Sequence, residues 1–268
     1  MNTSFFLNLK RNLEVLKTLI DIHCHANLYL VIDEIIKEAK KVGVEKIISV
    51  GMSILSLERI LEISGNYSII YPALGIHPEE IKMNKNVEKQ LNSAVNLIRN
   101  NKEKICAIGE IGLDHHFIKE QELYPLQKKV FEKMLSLAQE LELPVNLHTK
   151  GAEKEVFDVL PSYKIPYVNI HWYSGPEEFL NAGIDRGYYF SINPAISYSP
   201  AVKKTVSKVN KEFILLESDG PVKYSGKIGT PAMIRDVLNT ISKIKKIDTK
   251  ELEKQIENNT KLVFPKIF

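Results

Sequence analysis

His23 and His25, one residue apart, share this chain with Glu110, His148, His171 and Asp219, and side chains of these types are the ligands of divalent metals that hydrolyse bonds. In extended chain, residues two apart point to the same side. His23 and His25 can therefore face one ion while Cys24 points away. An HxH pair alone is a weak signal, because histidines also occur singly on surfaces and in cores. Two further histidines and two carboxylates make six candidates, more than the three protein ligands and one water of a tetrahedral catalytic ion. That number suits two ions sharing a carboxylate; held roughly 3.5–4 Å apart, they would hold a hydroxide and clamp the attacked group. Imidazole mixed with carboxylate favours Zn, Mn, Ni or Fe over a site selective for Mg alone.

The elements that must carry these residues are short β-rich runs alternating with longer amphipathic ones. Strands are expected over 19–24, 46–50, 68–74, 105–109, 143–148, 167–171, 187–191 and 213–217, most of them rich in Ile, Val, Leu, Tyr or Phe, as strands buried on both faces should be. Helices are expected over 31–42, 87–100, 123–141, 230–241 and 249–259, with Thr230–Pro231 as N-cap and first helical residue of the fourth. Eight strands with crossovers describe a (βα)8 barrel or a large doubly wound sheet. No Gly-rich nucleotide loop follows the first strand, where the chain reads DIHCHANL. His23 and His25 end the first strand, His148 the fifth and His171 the sixth, while Glu110 directly follows the fourth and Asp219 lies two residues past the eighth. In a barrel those ends share one rim, where active sites form.

The bulk numbers agree with one domain. A chain of 268 residues matches the roughly 250 of a single α/β barrel. A formal net charge of +3, from 36 basic and 33 acidic side chains, gives no support to coating duplex DNA through bulk charge. It leaves room for an anionic substrate met by a local cluster or a metal. Cys24 and Cys106 form no CxxC and read as buried free thiols. No stretch is long and apolar enough to span a membrane, and the N-terminus reads as a short leading helix rather than a signal peptide. A soluble, cytoplasmic protein is the expectation.

Several segments resemble a known family. They are IDIHCH ending at His25, ALGIHP ending at Pro78, AIGEIGLD ending at Asp114, Gln127 and Phe131 in the next helix, LPVNLH ending at His148, His171 with Ser174–Gly175, and LLESDGP ending at Pro221. In this order, over nearly the whole chain beyond the first 17 or so residues, they resemble the TatD family of metal-dependent hydrolases, within the amidohydrolase-like barrels. The resemblance implies a TIM-like (β/α)8 barrel of metallo-dependent hydrolase type, one catalytic domain over 1–268. Residues 1–17 would be an N-terminal extension and 249–268 a closing helix and tail. Two divalent ions (Zn, Mn, Mg, Ni or Co) are implied, with His23 and His25 on the first, His148 and His171 on the second, and Glu110 bridging both. Asp219 would contact the first ion and the attacking water, accepting its proton, and His77 would serve at the rim as phosphate donor or proton relay. Family members look like nucleases that remove nucleotides from DNA or RNA ends, often from the 3′ end of single strands. The implied partner is a DNA or RNA end, met by a monomer.

The chain departs from the family pattern in three places. Ala26–Asn27 replaces Leu-Asp after the first motif, Thr149–Lys150 replaces Ser-Arg, and GKIGTP, 226–231, replaces an Asn-Pro loop. Lys150 can still meet a phosphate, as a point charge rather than a fork. Around the site, Trp172, Tyr173 and Tyr198 are candidates to stack on bases or packing residues, and Lys223 and Lys227 are phosphate contacts or solvated lysines. Asp114 either orients a ligand or caps the turn before His115, and exposure to solvent is the expectation for His115 and His116. Ser174–Gly175 reads as a turn that starts a helix and offers N–H groups to an anion. The competing enzyme is a barrel amidase, lactonase or phosphotriesterase acting on a small molecule, whose bridging ligand is often a carbamylated lysine where this chain has Glu110.

Overall fold

A computed structural model describes residues 19–268. The expected leading helix and the 1–17 extension lie outside the described residues. Eight parallel strands follow in the order β1 Leu19–Cys24, β2 Val44–Val50, β3 Ile70–Leu74, β4 Ala107–Gly112, β5 Val145–His148, β6 Val168–Ile170, β7 Tyr189–Ile192 and β8 Ile214–Leu216. Each pairs with the next in sequence. The residues following β8 close the ring onto β1, where Asp219 N–H donates to His23 O (2.9 Å) and His25 N–H to Gly220 O (2.8 Å). The fold is a (β/α)8 barrel, and the doubly wound alternative falls away because strand order follows chain order throughout.

The crossovers are α1 Ile32–Lys41, α2 Ile54–Asn66, α3 Val87–Asn100, α4 Tyr124–Leu141, α5 Glu153–Val159, α6 Glu177–Asp185, α7 Pro200–Lys208 and α8 Ile234–Lys245, followed by α9 Thr249–Val263. Four of them, α2 and α5 to α7, had no counterpart among the expected helices. The last three have only 7, 9 and 9 residues, too few for a 3.6-residue period to recur visibly. In α2, Leu57, Ile60 and Ile63 face the core, but interspersed serines and Gly65 blur the stripe. Thr230 makes no side-chain cap, and Pro231 instead opens a 3-10 turn that delays α8 to Ile234. Glu110 lies inside β4 rather than after it, since pairing of Gly112 with His148 carries the ladder further. The helix expected over 249–259 continues to Val263.

Two apolar layers hold the barrel. The outer joins strand faces to helices through residues such as Val44, Leu74, Phe131 and Phe190. The inner packs Ile20, Ile22, Ile48, Val50 and Leu215 with Phe264 and Ile267 from the chain end. Asn259 Nδ2 donates to Ile214 O (2.9 Å), which places this closing segment at the N-terminal end of the strands. The opposite end stays open and carries the site. Cys24 and Cys106 are buried free thiols, and among the described residues no helix is long and apolar enough to cross a membrane.

Candidate metal centre

The six residues reach the C-terminal rim from five strands or their immediate extensions, and all but His148 are buried. Glu110 stands between two pairs of imidazoles. Its Oε2 lies 3.4 Å from His23 Nε2 and 3.8 Å from His25 Nε2. Its Oε1 lies 3.2 Å from His148 Nδ1 and 3.9 Å from His171 Nε2. Asp219 sits beside the first pair, with Oδ1 3.3 Å from His25 Nε2 and 3.6 Å from His23 Nε2, and turns Oδ2 toward His171 Nε2 at 3.7 Å. Ligand atoms around one four-coordinate ion with bonds near 2.0–2.1 Å lie about 3.3–3.4 Å apart. The contacts of Glu110 and Asp219 with His23 and His25 at 3.3–3.6 Å are close to that separation; His148 Nδ1 also hydrogen-bonds Glu110 Oε1, and it groups with His77 and Glu110, whereas His171 groups with His23 and Glu110.

The outer nitrogens of three imidazoles have acceptors that fix their tautomers. His23 Nδ1 donates to Asn146 Oδ1 (3.2 Å), which also accepts from Asn169 Nδ2 (3.2 Å). His171 Nδ1 donates to Glu217 Oε2 (2.8 Å) and His148 Nε2 to Asp114 Oδ2 (2.8 Å). Each arrangement leaves a lone pair on the nitrogen that faces Glu110, and such partners raise ligand basicity. Among the described residues, His23 Nε2 has no hydrogen-bond partner in its buried position. His77 differs. Its Nδ1 accepts from Glu79 N–H (3.2 Å), so the proton is on Nε2, which points at Glu110 Oε1 from 3.5 Å. Although His77, Glu110 and His148 lie close enough to hold an ion together, His77 in this tautomer presents a donor rather than a lone pair.

The electrostatics also fit cations. Burial lowers the affinity of His23 and His148 for protons, yet Glu110 and Asp219 push His23 up to about 10, and Asp114 and Glu110 push His148 up to about 9. A site that draws protons onto buried imidazoles has negative potential to spare for divalent ions. Burial raises the Glu110 carboxyl, but His77, His23 and His148 hold it well below the usual range. Burial also dominates at His77, which falls to about 3 and stays neutral. Among the described residues three overlapping groups can hold ions, the other two being His23–Glu110–His171 and His23–His25–Asp219, consistent with one or two divalent sites.

Local sequence explains the rim's shape. Gly112 has φ 148°, and a Cβ there would lie 1.9 Å from His148 O, so only glycine lets β4 run this close to β5. Asp219 (φ 49°) and Trp172 (φ 40°) hold left-handed backbone although neither is glycine, and both border the site. Asp114 does both things considered for it: Oδ1 caps the turn by accepting from His116 N–H (2.8 Å) and Phe117 N–H (2.6 Å), while Oδ2 holds His148. Gln127 secures Asp114 from α4, accepting from its N–H (3.0 Å) and donating to its O (3.2 Å).

A cavity of about 320 Å³ opens over the centre. His77, Lys150, Trp172 and Asp219 line it, and Lys150 Nζ donates to Ser174 Oγ (2.5 Å) on its wall. Lys223 and Lys227 are exposed on the small hairpin Lys223–Tyr224 and Lys227–Ile228, and neither lines the cavity. Tyr198 is half exposed away from it. Tyr173 is buried in the outer core with its OH on Pro176 O, so it packs rather than stacks. His116 is exposed, whereas His115 is only partly so and stacks on Tyr124 with centroids 3.6 Å apart.

Asn146, Glu217 and Phe117 were not among the expected site residues. For the first two a signal existed. Asn146, Asn169 and Glu217 each precede a candidate ligand by two positions and lie fully buried in apolar strands or at their ends, where polarity needs a partner. Glu217→Gln, which keeps the shape of the side chain, should weaken metal binding by about 10–100-fold, read by calorimetric titration with Zn. Unchanged affinity would remove Glu217 from the centre.

Comparison with known proteins agrees with this geometry. The family model described as TatD related DNase matches residues 20–265. An uncharacterised metal-dependent hydrolase of Methanocaldococcus jannaschii is 35% identical over 246 residues, covering 90% of this chain and 94% of that protein. The human deoxyribonuclease TATDN3 is 30% identical over 261 residues, covering 93% and 95%. Among solved structures, the TatD homologue YjjV of Escherichia coli superposes with a TM-score of 0.83 at 24% identity, covering 93% of this chain and 98% of that one.

Proposed function

The chain belongs to the TatD family and is a metal-dependent hydrolase; from that premise we propose that it cleaves phosphodiester bonds at the ends of single-stranded DNA or RNA, as a 3′–5′ exonuclease. Two donors carry this reading. His77 Nε2–H and Lys150 Nζ lie on the wall of the cavity that also holds the carboxylate–imidazole cluster, as the oxygens of a tetrahedral anion require. That a human relative is named a deoxyribonuclease points the same way.

In the proposed assignment His23, His25 and Asp219 would hold one divalent ion, His148 and His171 a second, and Glu110 would serve both. When bound, such ions acidify water and offset charge on a phosphoryl oxygen. Asp219, ionised and bordering the cavity, accepts the proton of the attacking water. Burial raises its carboxyl, but His171, His25 and His23 hold it below the ordinary value, so it is a base at neutral pH. His77 Nε2–H steadies a non-bridging oxygen as charge grows there, its tautomer being set by Glu79 N–H. Lys150 takes a phosphate oxygen as a point charge, and Trp172 offers a face to a base. Glu110 is held too strongly ionised to serve as the acid for the leaving oxygen.

The barrel amidohydrolase reading loses ground because the bridging position carries Glu110 and not lysine. End-labelled single-stranded DNA and RNA, incubated with protein reconstituted in turn with Mg, Mn, Zn, Ni and Co, should shorten stepwise. Absence of phosphodiester cleavage with every metal would sink the proposal.

A further inference from the structure

We propose that Phe117 and Trp172 form the two aromatic walls of a nucleobase slot, geared to the metal centre by two carboxylates, so that the enzyme selects a terminal nucleotide that carries a base. The inference rests on the phosphodiesterase reading and goes beyond it in naming what the cavity recognises. Both rings line the cavity that contains His148, His171 and Asp219. Phe117 is 69% exposed, an unusual position for a large apolar ring beside a polar centre. Its backbone is nonetheless held, by Asp114.

Asp114 holds His148 Nε2 on Oδ2 (2.8 Å) and the Phe117 N–H on Oδ1 (2.6 Å). Glu217, just past β8, repeats the device for the loop after β6, holding His171 Nδ1 on Oε2 (2.8 Å) and the Trp172 N–H on Oε1 (3.0 Å). The backbone N–H of each aromatic residue thus shares a single carboxylate with a metal-facing imidazole, which ties the chain that carries each ring to the centre. The rings are braced without being covered. His116 meets Phe117 edge-on at 4.6 Å, and Trp172 lies 5.6 Å from Tyr224 and 6.2 Å, edge-on, from His171.

Flat apolar walls next to phosphate donors match a nucleotide, because every base has a π-face and stacking tolerates sequence. A volume of about 320 Å³ is near the lower limit for ligand pockets, enough for one such unit rather than a stacked run. A small ester without a flat ring would leave both walls bare.

The test compares two end-labelled single strands of one sequence, the second abasic at the nucleotide removed first. Wild-type protein should prefer the base-bearing strand by roughly 5- to 150-fold in kcat/KM. Phe117→Ala should collapse that ratio toward one with the metal content preserved, Phe117→Tyr should restore it, and Phe117→Leu, apolar but without a π-face, should not. Equal rates on both strands in the wild type, or a ratio that survives in Phe117→Ala, overturns the slot and leaves the nuclease reading standing. No cleavage of either strand overturns the nuclease reading and the slot with it.

Discussion

Asp219→Asn should lower kcat by about 10²–10⁴-fold at matched metal content, the usual worth of a positioned general base, in a protein that still folds. The amide keeps the size of the carboxylate and one oxygen, so packing at this buried position changes little. What it loses is the ability to take a proton, together with the negative charge it offers the first ion, which is why rates are compared at matched metal content. Oδ1 lies 3.3 Å from His25 Nε2 and Oδ2 3.7 Å from His171 Nε2, so Asp219 addresses both sides of the cluster while bordering the cavity. Its left-handed backbone is tied by its own N–H to His23 O, which anchors the residue at the rim. Single-turnover cleavage with metal content measured alongside checks this. Activity within a few-fold of wild type at full metal content would assign the proton to another group.

Glu110→Gln should cost about 10²–10³-fold in activity or more, and should also change how metal binding depends on pH. In the metal-free protein His23 is pushed up to about 10 and His148 to about 9, and Glu110 contributes to both. Metal must displace those protons, so apparent affinity should rise about tenfold per pH unit for each proton released. A histidine whose folded pKa is raised stabilises fully below its unfolded value near 6.5, and that contribution fades as pH climbs through 9 to 10. Metal-free protein should therefore lose stability over this window while the metal-loaded form does not, and the gain in Tm on adding metal should widen from pH 6.5 to 9. In Glu110→Gln the widening should shrink, because the charge that both imidazoles share has gone. A Tm gain equal at both pH values in the wild type would contradict the account.

Residue chemistry and short-range period alone made much of the molecule legible. Strands buried on both faces must be apolar runs, and β1 to β8 stand where those runs fall, β1 with both ends as expected and the others with ends shifted by at most three residues. Imidazoles and carboxylates at strand ends announced a metal centre because few other environments gather them. Boundaries and short helices were less visible. Glu110 inside β4 depends on a ladder with β5, and α5 to α7 are held by packing rather than by a periodic stripe.

Tertiary structure alone decided how those residues are used. His23 and Asn146, which fixes its tautomer, are 123 positions apart, and His171 and Glu217 are 46 apart. No local pattern encodes such pairings, since they exist only once the barrel closes. The same holds for the turning of Glu110 Oε2 to one pair of imidazoles and Oε1 to the other. It holds again for Phe117, which reads as an ordinary apolar residue until Asp114 is seen to hang it beside His148. Ligand identity is a property of side-chain type, which the chain spells out. Proton placement, bridging and the shape of the slot are properties of distance, and closure of the barrel sets distance.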